Sequence, residues 1–480
     1  MKVGLLICTY NRPEYLKLCL ESLKRADLSK VNAMIFVDDN SSNLETVDLI
    51  HNFSEFGLNV NPTEKFNLEK SFKDQNKSIK HSLLTGFQYL LEYGCDTFIN
   101  LDGDAIVRND FVDVLLSHHE KYPEGIVTGF NCNTLNRDGS IRHKNLWVQD
   151  GVLFRESVGG INMCFGRSAY FNFVKPALLH TLQHGGNWDH MTCINSMAAS
   201  LPISVTVPSV VQHIGINSSM GHDAGGEPAD VADDFKPLSL PNVTLIGVAD
   251  DCAGLAKAAD ISTENIVFGG GIKILSVIAN YEDERFIKPA GYFRYRERLE
   301  NKGVMFIDCK KIGSKTAYSQ FVFKEVVKYV DTDYFIIFQA DGFILNWKAW
   351  TNEFFEYDYI GAPFEWYNDG MQVGNGGFSF RSKKLHQLIL DEKLELCNDQ
   401  YIKDFAEDHN ICRIHRPFLE SKGIKFAPVE LARKFSIEAW KSHDNKYKGS
   451  FGFHGFSVDF SGTQLPYIPY LLPNNERKIF

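Results

Sequence analysis

"FINLDGDAIV", residues 98–107, runs an apolar stretch into two carboxylates one residue apart, Asp102 and Asp104. Two readings compete. Asp-Gly is among the commonest turn dipeptides, yet paired carboxylates at the end of a buried strand also suit a cation. The flanking sequence supplies context. "VGLLICTY" (3–10) and "NAMIFVDDNSS" (32–42) are further apolar strands ending in polar loops. Helix-length segments separate them, Glu14 to Arg25 and the amphipathic "SIKHSLLTGFQYLLEYG" (78–94). Strands alternating with helices predict βαβ units and a mostly parallel sheet. Ligands of such sheets sit beyond the carboxyl ends of the strands. Thr9 to Arg12, Asp38 to Asn40 and Asp102 to Asp104 all fall at such ends, so three distant loops are expected to meet at one edge.

The bulk numbers narrow the class. A chain of 480 residues is too long for one ordinary core, and 44% hydrophobic with 23% charged residues describes a globular protein. The formal net charge of −10 and the lack of a long basic run argue against nucleic acid as a partner. An anionic ligand would need a local device, such as a metal or a helix N-terminus. No stretch approaches the roughly 18 uninterrupted apolar residues of a membrane span, and Val3 to Cys8 is shorter than a signal-peptide core. The ten cysteines show no pairing rhythm and no C-x-x-C clip, which fits a reducing cytosol. The N-x-S/T triplets at Asn52 and Asn242 are read as coincidence in that setting.

Around 217–241 the composition shifts to "NSSMGHDAGGEPADVADDFKPLSLP", rich in Gly, Pro, Ser and Asp, and reads as a linker or loop. The alternation then restarts with "NVTLIGVADD", "IKILSVIAN", "VMFIDCKK", the helix "YSQFVFKEVVKYV" and the strand "YFIIFQADGFIL". The simplest parse is a first domain over 1–220, a linker over 221–241, a second domain over 242–470 and a tail over 471–480.

The two halves also repeat their chemistry. The first gives "YGCDTFINLDGDAIV", "VGGINMCFGRSAYF", "NWDHMTCI" and "VVQHIG"; the second gives "VDTDYFIIFQADGFIL", "VGNGGFSFRSKKL", "AEDHNICR" and "FGFHGF". The order is the same in both: a strand with Asp-Gly, a Gly-rich segment closing on Arg-Ser, Asp-His-x-x-Cys, then a His beside Gly. Each match alone is an everyday turn or a structural histidine; four in order point to a duplicated fold. A carboxylate at a strand end and a distant imidazole suit Mg²⁺ or Mn²⁺, the imidazole tilting towards Mn²⁺. A third carboxylate away from the metal suits a general base.

These residues resemble a known family. "ICTYNRPEYL", "VDDNSS", "LDGD", "GGINMCFGRSAY", "NWDH" and "VVQHIG" resemble, over residues 1–220, an inverting glycosyltransferase of family 2 with the GT-A fold. The resemblance implies that Thr9, Asn11, Arg12, Asp39 and Asp102 bind the nucleotide-sugar. Asp104 and His213 would ligate the metal, Gly160 would lie on the acceptor side, and Asp189 would be the base. The family usually has Glu-Asp at the base; here Trp188 stands where the Glu would be. Over 242–460 the chain resembles a glycosyltransferase-like domain of unknown function, on "FQADGFIL", "YDYIGAPF", "VGNGGFSFRS", "EDHNIC" and "FGFHGF". By carry-over, Asp250 is on the nucleotide-sugar side, Asp341 and His454 are the metal pair, Asp408 or Glu407 is the base, and Gly376, Gly377 and Trp366 face the acceptor. Gln339 stands where the first Asp of the pair would be.

The fold expectation is therefore α/β, two tandem GT-A-like domains with Rossmann-like, mostly parallel sheets. The functional expectation is a bifunctional, metal-dependent transferase. It would move sugars from nucleoside-diphosphate donors, UDP-sugars first, to an oligosaccharide or lipid-linked glycan in surface polysaccharide synthesis. Location would be cytoplasmic, against the inner face of a membrane where the acceptor is lipid-linked. Two alternatives stay open: one active N-terminal transferase with a C-terminal glycan-binding module, or a metal-dependent nucleotidyltransferase. "IGSKT" (312–316) lacks the spacing of a phosphate-binding P-loop, and "FGGGI" (268–272) reads as a turn.

Overall fold

The computed structural model describes residues 1–63, 65–75, 78–136, 138–215, 230–249, 252–276, 297–309, 312–398, 405–438, 446–455 and 457–461. The chain divides into two compact units, Met1–Leu238 and Ser239–Phe480.

The first unit is built on β1 (Val3–Thr9), α1 (Pro13–Arg25), β2 (Val31–Asp38), β3 (Asn67–Phe72), α2 (Ile79–Glu92) and β4 (Thr97–Asp102). After these come β5 (Ala105–Val107), β6 (Ile126–Thr128), β7 (Asn145–Gln149), β8 (Val152–Arg155), β9 (Asn162–Gly166), α3 (Trp188–Ala198), β10 (Ile203–Val205) and β11 (Val211–His213). One nine-stranded sheet takes the order β3-β2-β1-β4-β9-β6-β10-β8-β7. Its first four strands are parallel, and β9 runs antiparallel to β4. β1 is buried along its whole length, as a central parallel strand covered on both faces must be. Pro13 supplies a preset φ at the start of α1, which buries Leu16, Cys19, Leu20 and Leu23 against the sheet. The register places Thr9 beside Asp38 and Cys8 beside Asp102, so three strands end level and deliver their loops to one edge.

The second unit contains β12 (Val243–Val248), β13 (Ile272–Ser276), β14 (Val304–Asp308), α4 (Lys315–Lys324), β15 (Tyr334–Phe338), β16 (Tyr359–Gly361), β17 (Ser379–Ser382), the short helix α5 (Glu407–His409), β18 (Ser436–Glu438) and β19 (Gly452–His454). Its six-stranded sheet has the order β14-β13-β12-β15-β17-β16. Four parallel strands are again followed by an antiparallel one. Among the strands of this sheet the third, second, first and fourth lie in line, then the sixth and fifth. The first unit begins with the same order. Both units are α/β with the GT-A plan.

The register also corrects one match in the repeat. Phe165 pairs with Phe98 on β4, and Arg381 pairs with Phe335 on β15. Val3 faces Thr97 as Val243 faces Tyr334. Phe98 and Phe335 are thus equivalent, and so are Phe165 and Arg381. The Arg-Ser of one half does not align with the Arg-Ser of the other. Residue 167 corresponds to 383, and both backbone amides cap the same turn, on Asp96 and Asp333.

The expected linker also differs. Ala232 lies in the core of the first unit, Asp234 accepts from Asn131 Nδ2 at 2.8 Å, and Leu238–Leu240 is a strand paired with Ile266–Phe268. "FGGGI" does make a turn, with Gly271 donating to Phe268 and holding φ at 73°. No disulfide joins the described cysteines, and no described helix is long and apolar enough to cross a membrane.

Candidate active site

Thr9, Asn11, Arg12, Asp39, Asp102 and Asp104, six of the residues singled out in the sequence, line one cavity of about 310 Å³ in the first unit. The loop after β1 turns sharply, with Asn11 and Arg12 at φ of 52° and 63°. Asp38 organises the base of the cavity. Its carboxylate accepts from Thr9 Oγ1 at 3.0 Å, from Ser41 N at 2.8 Å and from Ser41 Oγ at 2.6 Å. Ser41 Oγ accepts in turn from Asn11 N at 2.7 Å. Asp38 is thereby spent on loop geometry, and Asp39 is left to the cavity, where Ser78 N donates to its Oδ2 at 2.9 Å. Ser78 also lines the cavity, though no motif in the sequence marks it.

Asp104 Oδ2 is the electrostatic centre. Arg12 Nη1 reaches it at 2.6 Å and His213 Nε2 at 3.3 Å. His213 comes from the far end of the unit because β11 pairs antiparallel with β5, setting His213 opposite Ala105. Its Nδ1 lies 3.2 Å from the carbonyl oxygen of Asp230, which can only accept. Nδ1 therefore carries the proton and Nε2 faces Asp104. Burial works against ionising Asp104, but the hydrogen bond from His213 and the charges of His213 and Arg12 outweigh it and hold its pKa below the ordinary carboxylate value. Burial and the charge of Asp104 push Asp102 well above that value. Nε and Nη2 of Arg12 are buried without hydrogen-bond partners among the described residues. Orphaned guanidinium donors beside an acid pair match an oxyanion.

The carboxylate–imidazole pair fits a divalent cation. His213 Nδ1 is oriented by a carbonyl, so Nε2 would serve as the ligand once the proton it shares with Asp104 leaves, the usual arrangement around a metal-bound imidazole. Asp104 and His213 would hold such an ion, with Asp102 beside it.

Asp189 sits in the first turn of α3. Its Oδ2 accepts from Gly160 N at 2.9 Å and its Oδ1 from His190 N at 2.9 Å. Asn100 Nδ2 donates to the Gly160 carbonyl at 2.8 Å, and Asp102 N to the Ile161 carbonyl at 2.9 Å, which ties the glycine loop to the end of β4. A Cβ on Gly160 would meet Trp188 Cζ2 at 2.7 Å and Asp189 Cβ at 3.1 Å. Only glycine admits so close an approach.

The second unit repeats the contacts of the acid itself. Gly376 N donates to Asp408 Oδ2 at 3.0 Å and His409 N to Asp408 Oδ1 at 2.7 Å. Cys412 Sγ contacts the Gly374 carbonyl at 3.6 Å as Cys193 Sγ contacts that of Val158 at 3.8 Å. Gly455 N donates to the Asp341 carbonyl as Ile214 N does to that of Asp104. Asp408 thus corresponds to Asp189, and Glu407 to Trp188. Glu407 forms a buried ion pair with Arg381 at 3.0 Å. Of the two candidate bases it is the one already committed. Burial raises the pKa of both acids.

Around His454 the chemistry diverges. Its Nε2 lies 3.1 Å from Gln339 Oε1 and 3.8 Å from Asp341 Oδ1, while its Nδ1 lies 2.7 Å from Glu438 Oε2. A side-chain carboxylate has replaced the backbone carbonyl behind the histidine, so the Asp lost at 339 is matched by an acid gained at 438. Gln339 Nε2 is itself held by Tyr318 Oη at 2.7 Å. Gly377 allows His454 in, since a Cβ there would lie 2.0 Å from its Nε2. Trp366 lines a cavity of about 710 Å³ with Glu438, Ser436 and Lys434. Asp250 lies outside the described residues.

Comparison with known proteins agrees with the domain structure. Residues 5–173 match the family described as glycosyl transferase family 2, and residues 302–454 match a protein family of unknown function, DUF5672. No curated protein matches the chain. Similar solved structures include GalNAc-T7 with UDP, GalNAc and Mn²⁺ (12% identity, TM-score 0.35, 45% of this chain and 44% of that one). Others are S. aureus TarS (15%, 0.31, 44% and 36%) and S. aureus TarS 1–349 with UDP (13%, 0.33, 44% and 59%). This chain thus spans about a third to three-fifths of the solved chains it resembles. The chain thus carries a domain of an enzyme family, glycosyl transferase family 2, over residues 5–173 and a DUF5672 domain over residues 302–454.

Proposed function

We propose that the first unit transfers a sugar from a nucleoside diphosphate, UDP first among them, to a hydroxyl of a glycan acceptor with inversion at the anomeric carbon. The observation that carries this reading is the convergence of Asp39, Asp102, Asp104 and Arg12 on one cavity, with His213 on Asp104. Thr9, Asn11 and Asp39 line the nucleotide end. Arg12, with two unspent donors, faces the diphosphate. Asp104 and His213 would hold Mn²⁺ or Mg²⁺, which offsets charge on the departing diphosphate when bound. Asp189, steadied by two amides, takes the proton of the acceptor hydroxyl as its oxygen attacks opposite the leaving group. A positioned base of this kind contributes roughly 10²–10⁴-fold.

The second unit is proposed as a second transferase of the same plan, with Asp408 as base and Asp341 and His454 at the metal. Residue-for-residue retention of the Gly376–Asp408 contact supports activity over a purely binding role. Two such units would suit synthesis of an alternating glycan at the cytoplasmic face of a membrane. The test is a screen of nucleotide sugars with Mn²⁺, scoring transfer and donor hydrolysis by the full chain, Asp104→Ala and Asp341→Ala. The first-unit reading requires that Asp104→Ala lose at least one donor's turnover. The two-enzyme reading fails if Asp341→Ala leaves every detectable transfer intact.

A further inference from the structure

The first unit holds a second cluster of different chemistry. Cys132, His143 and Asp230 come from three separate stretches of chain, and one donor atom of each lies within 4.8 Å of the other two. Among the described residues no other group of three metal-ligating side chains gathers so tightly. Cys132 is buried, and His143 and Asp230 are half-buried. Ser157 Oγ lies 3.1 Å from His143 Nδ1, while His143 Nε2 is buried with no hydrogen-bond partner among the described residues. An imidazole nitrogen left that way has lost water and gained nothing in return. Arg142 forms an ion pair with the Asp230 carboxylate, and Arg155 Nη1 donates to the Cys132 carbonyl at 2.8 Å. Burial first, then the Asp230 carboxylate, raises the pKa of the metal-free Cys132 thiol.

The donor set differs from that of the Asp104–His213 pair. Thiolate, imidazole and carboxylate together suit Zn²⁺, whereas Mg²⁺ and Ca²⁺ take oxygen ligands. We propose that Cys132 Sγ, a ring nitrogen of His143 and the Asp230 carboxylate bind one cation of the zinc class, with water in the fourth position. Binding releases the Cys132 thiol proton to solvent, and the two anionic ligands balance the dication. Tetrahedral coordination draws the donors to about 3.5 Å apart, a modest contraction.

The site acts as a staple. Val231 N donates to Thr134 Oγ1 at 3.0 Å and Asn133 N to the Val231 carbonyl at 3.1 Å, so residues 230–231 already lie along the 132–134 stretch. The Asp230 carbonyl is also the acceptor for His213 Nδ1. A cation on the Asp230 side chain would therefore hold, one hydrogen bond away, the carbonyl that keeps His213 Nε2 turned towards Asp104. Asp230 is on this account a positioning residue as well as a ligand.

The test uses the full-length chain, stripped with chelator, checked for folding by circular dichroism, and titrated with Zn²⁺ and Co²⁺. One tight equivalent is expected in the wild type and in Asp104→Ala alike, with a thiolate-to-cobalt charge-transfer band. Cys132→Ser should lose that band and weaken binding on the order of 100-fold. A folded wild-type chain that gives no thiolate band with cobalt overturns the proposal, whatever the variants do. Retention of both band and affinity by Cys132→Ser overturns it equally.

Discussion

The amide of Gly160 donates to Asp189 Oδ2 at 2.9 Å, and the side chain of Asp189 is thereby held against a loop 29 residues earlier in the chain. The same bond joins Gly376 to Asp408 at 3.0 Å. In both units a glycine without room for a Cβ lets the helix that carries the acid press onto the loop. The acid is fixed by backbone, and its remaining lone pairs are open to a substrate.

Asp189→Asn should therefore keep the fold and donor binding but lower kcat by about 10²–10⁴-fold. Steady-state kinetics with the donor found in the screen checks this. A kcat within threefold of wild type would remove Asp189 from the role of base. Gly160→Ala should reach a similar loss by displacing Trp188 and Asp189, with a stability cost of about 1–3 kcal/mol.

Mn²⁺-dependent nucleotide binding should separate the units. Calorimetry on Asp104→Ala should show UDP affinity reduced on the order of 100-fold or more in the first unit, with any second-unit binding unchanged. Glu438→Gln should weaken metal binding in the second unit by about 10- to 100-fold, because it loosens the support behind His454. No change in Glu438→Gln would assign that acid to structure alone.

Arg381 and Glu407 occupy the places of Phe165 and Trp188, which lie together in the core of the first unit. Glu407→Gln should strand a fully buried guanidinium and destabilise the second unit by about 3–5 kcal/mol, read as a shift of its urea midpoint. The double substitution Arg381→Phe with Glu407→Trp, copying the first unit, should recover most of that loss. A double variant no better than the single one would show that the pair is not interchangeable with an apolar contact.

Stability should also fall in mild acid through His386. This ring is fully buried against Phe335, and burial first, then the charge of Arg381, lowers its pKa well below the ordinary value. The folded state keeps it neutral while the unfolded state takes up a proton below about pH 6.5. The unfolded state then binds more protons, so stability declines as pH falls through that value, by up to about 1.4 kcal/mol per pH unit. His386→Phe should flatten this slope between pH 6.5 and 5 in urea titrations. An unchanged slope would point to other groups.

Much of this architecture was legible because burial on both faces writes an uninterrupted apolar run, and the polar residue that ends the run marks the strand's carboxyl end. Val3–Thr9, Val31–Asp38 and Thr97–Asp102 are of this kind. Asn67–Phe72 was not, since all six of its residues are only half-buried and the pattern is faint. Asp230 and Glu438 were equally silent. Each is a lone acid, and its meaning comes from the histidine it meets 17 or 16 residues away in the chain.

By itself the sequence determined which loops reach the edge of each sheet and which side chains they bring, because strand ends and residue types are local properties. It could not determine register, and register is what separates Arg381 from Arg167 and sets it in the place of Phe165. Only the tertiary structure decided that Asp38 serves the loop while Asp39 faces the cavity, that Glu407 is neutralised by a buried arginine while Asp408 is not, and that a backbone carbonyl stands behind His213 where a carboxylate stands behind His454. Each of these turns on a hydrogen bond or ion pair between residues distant in the chain, whose formation depends on packing to within a few tenths of an ångström.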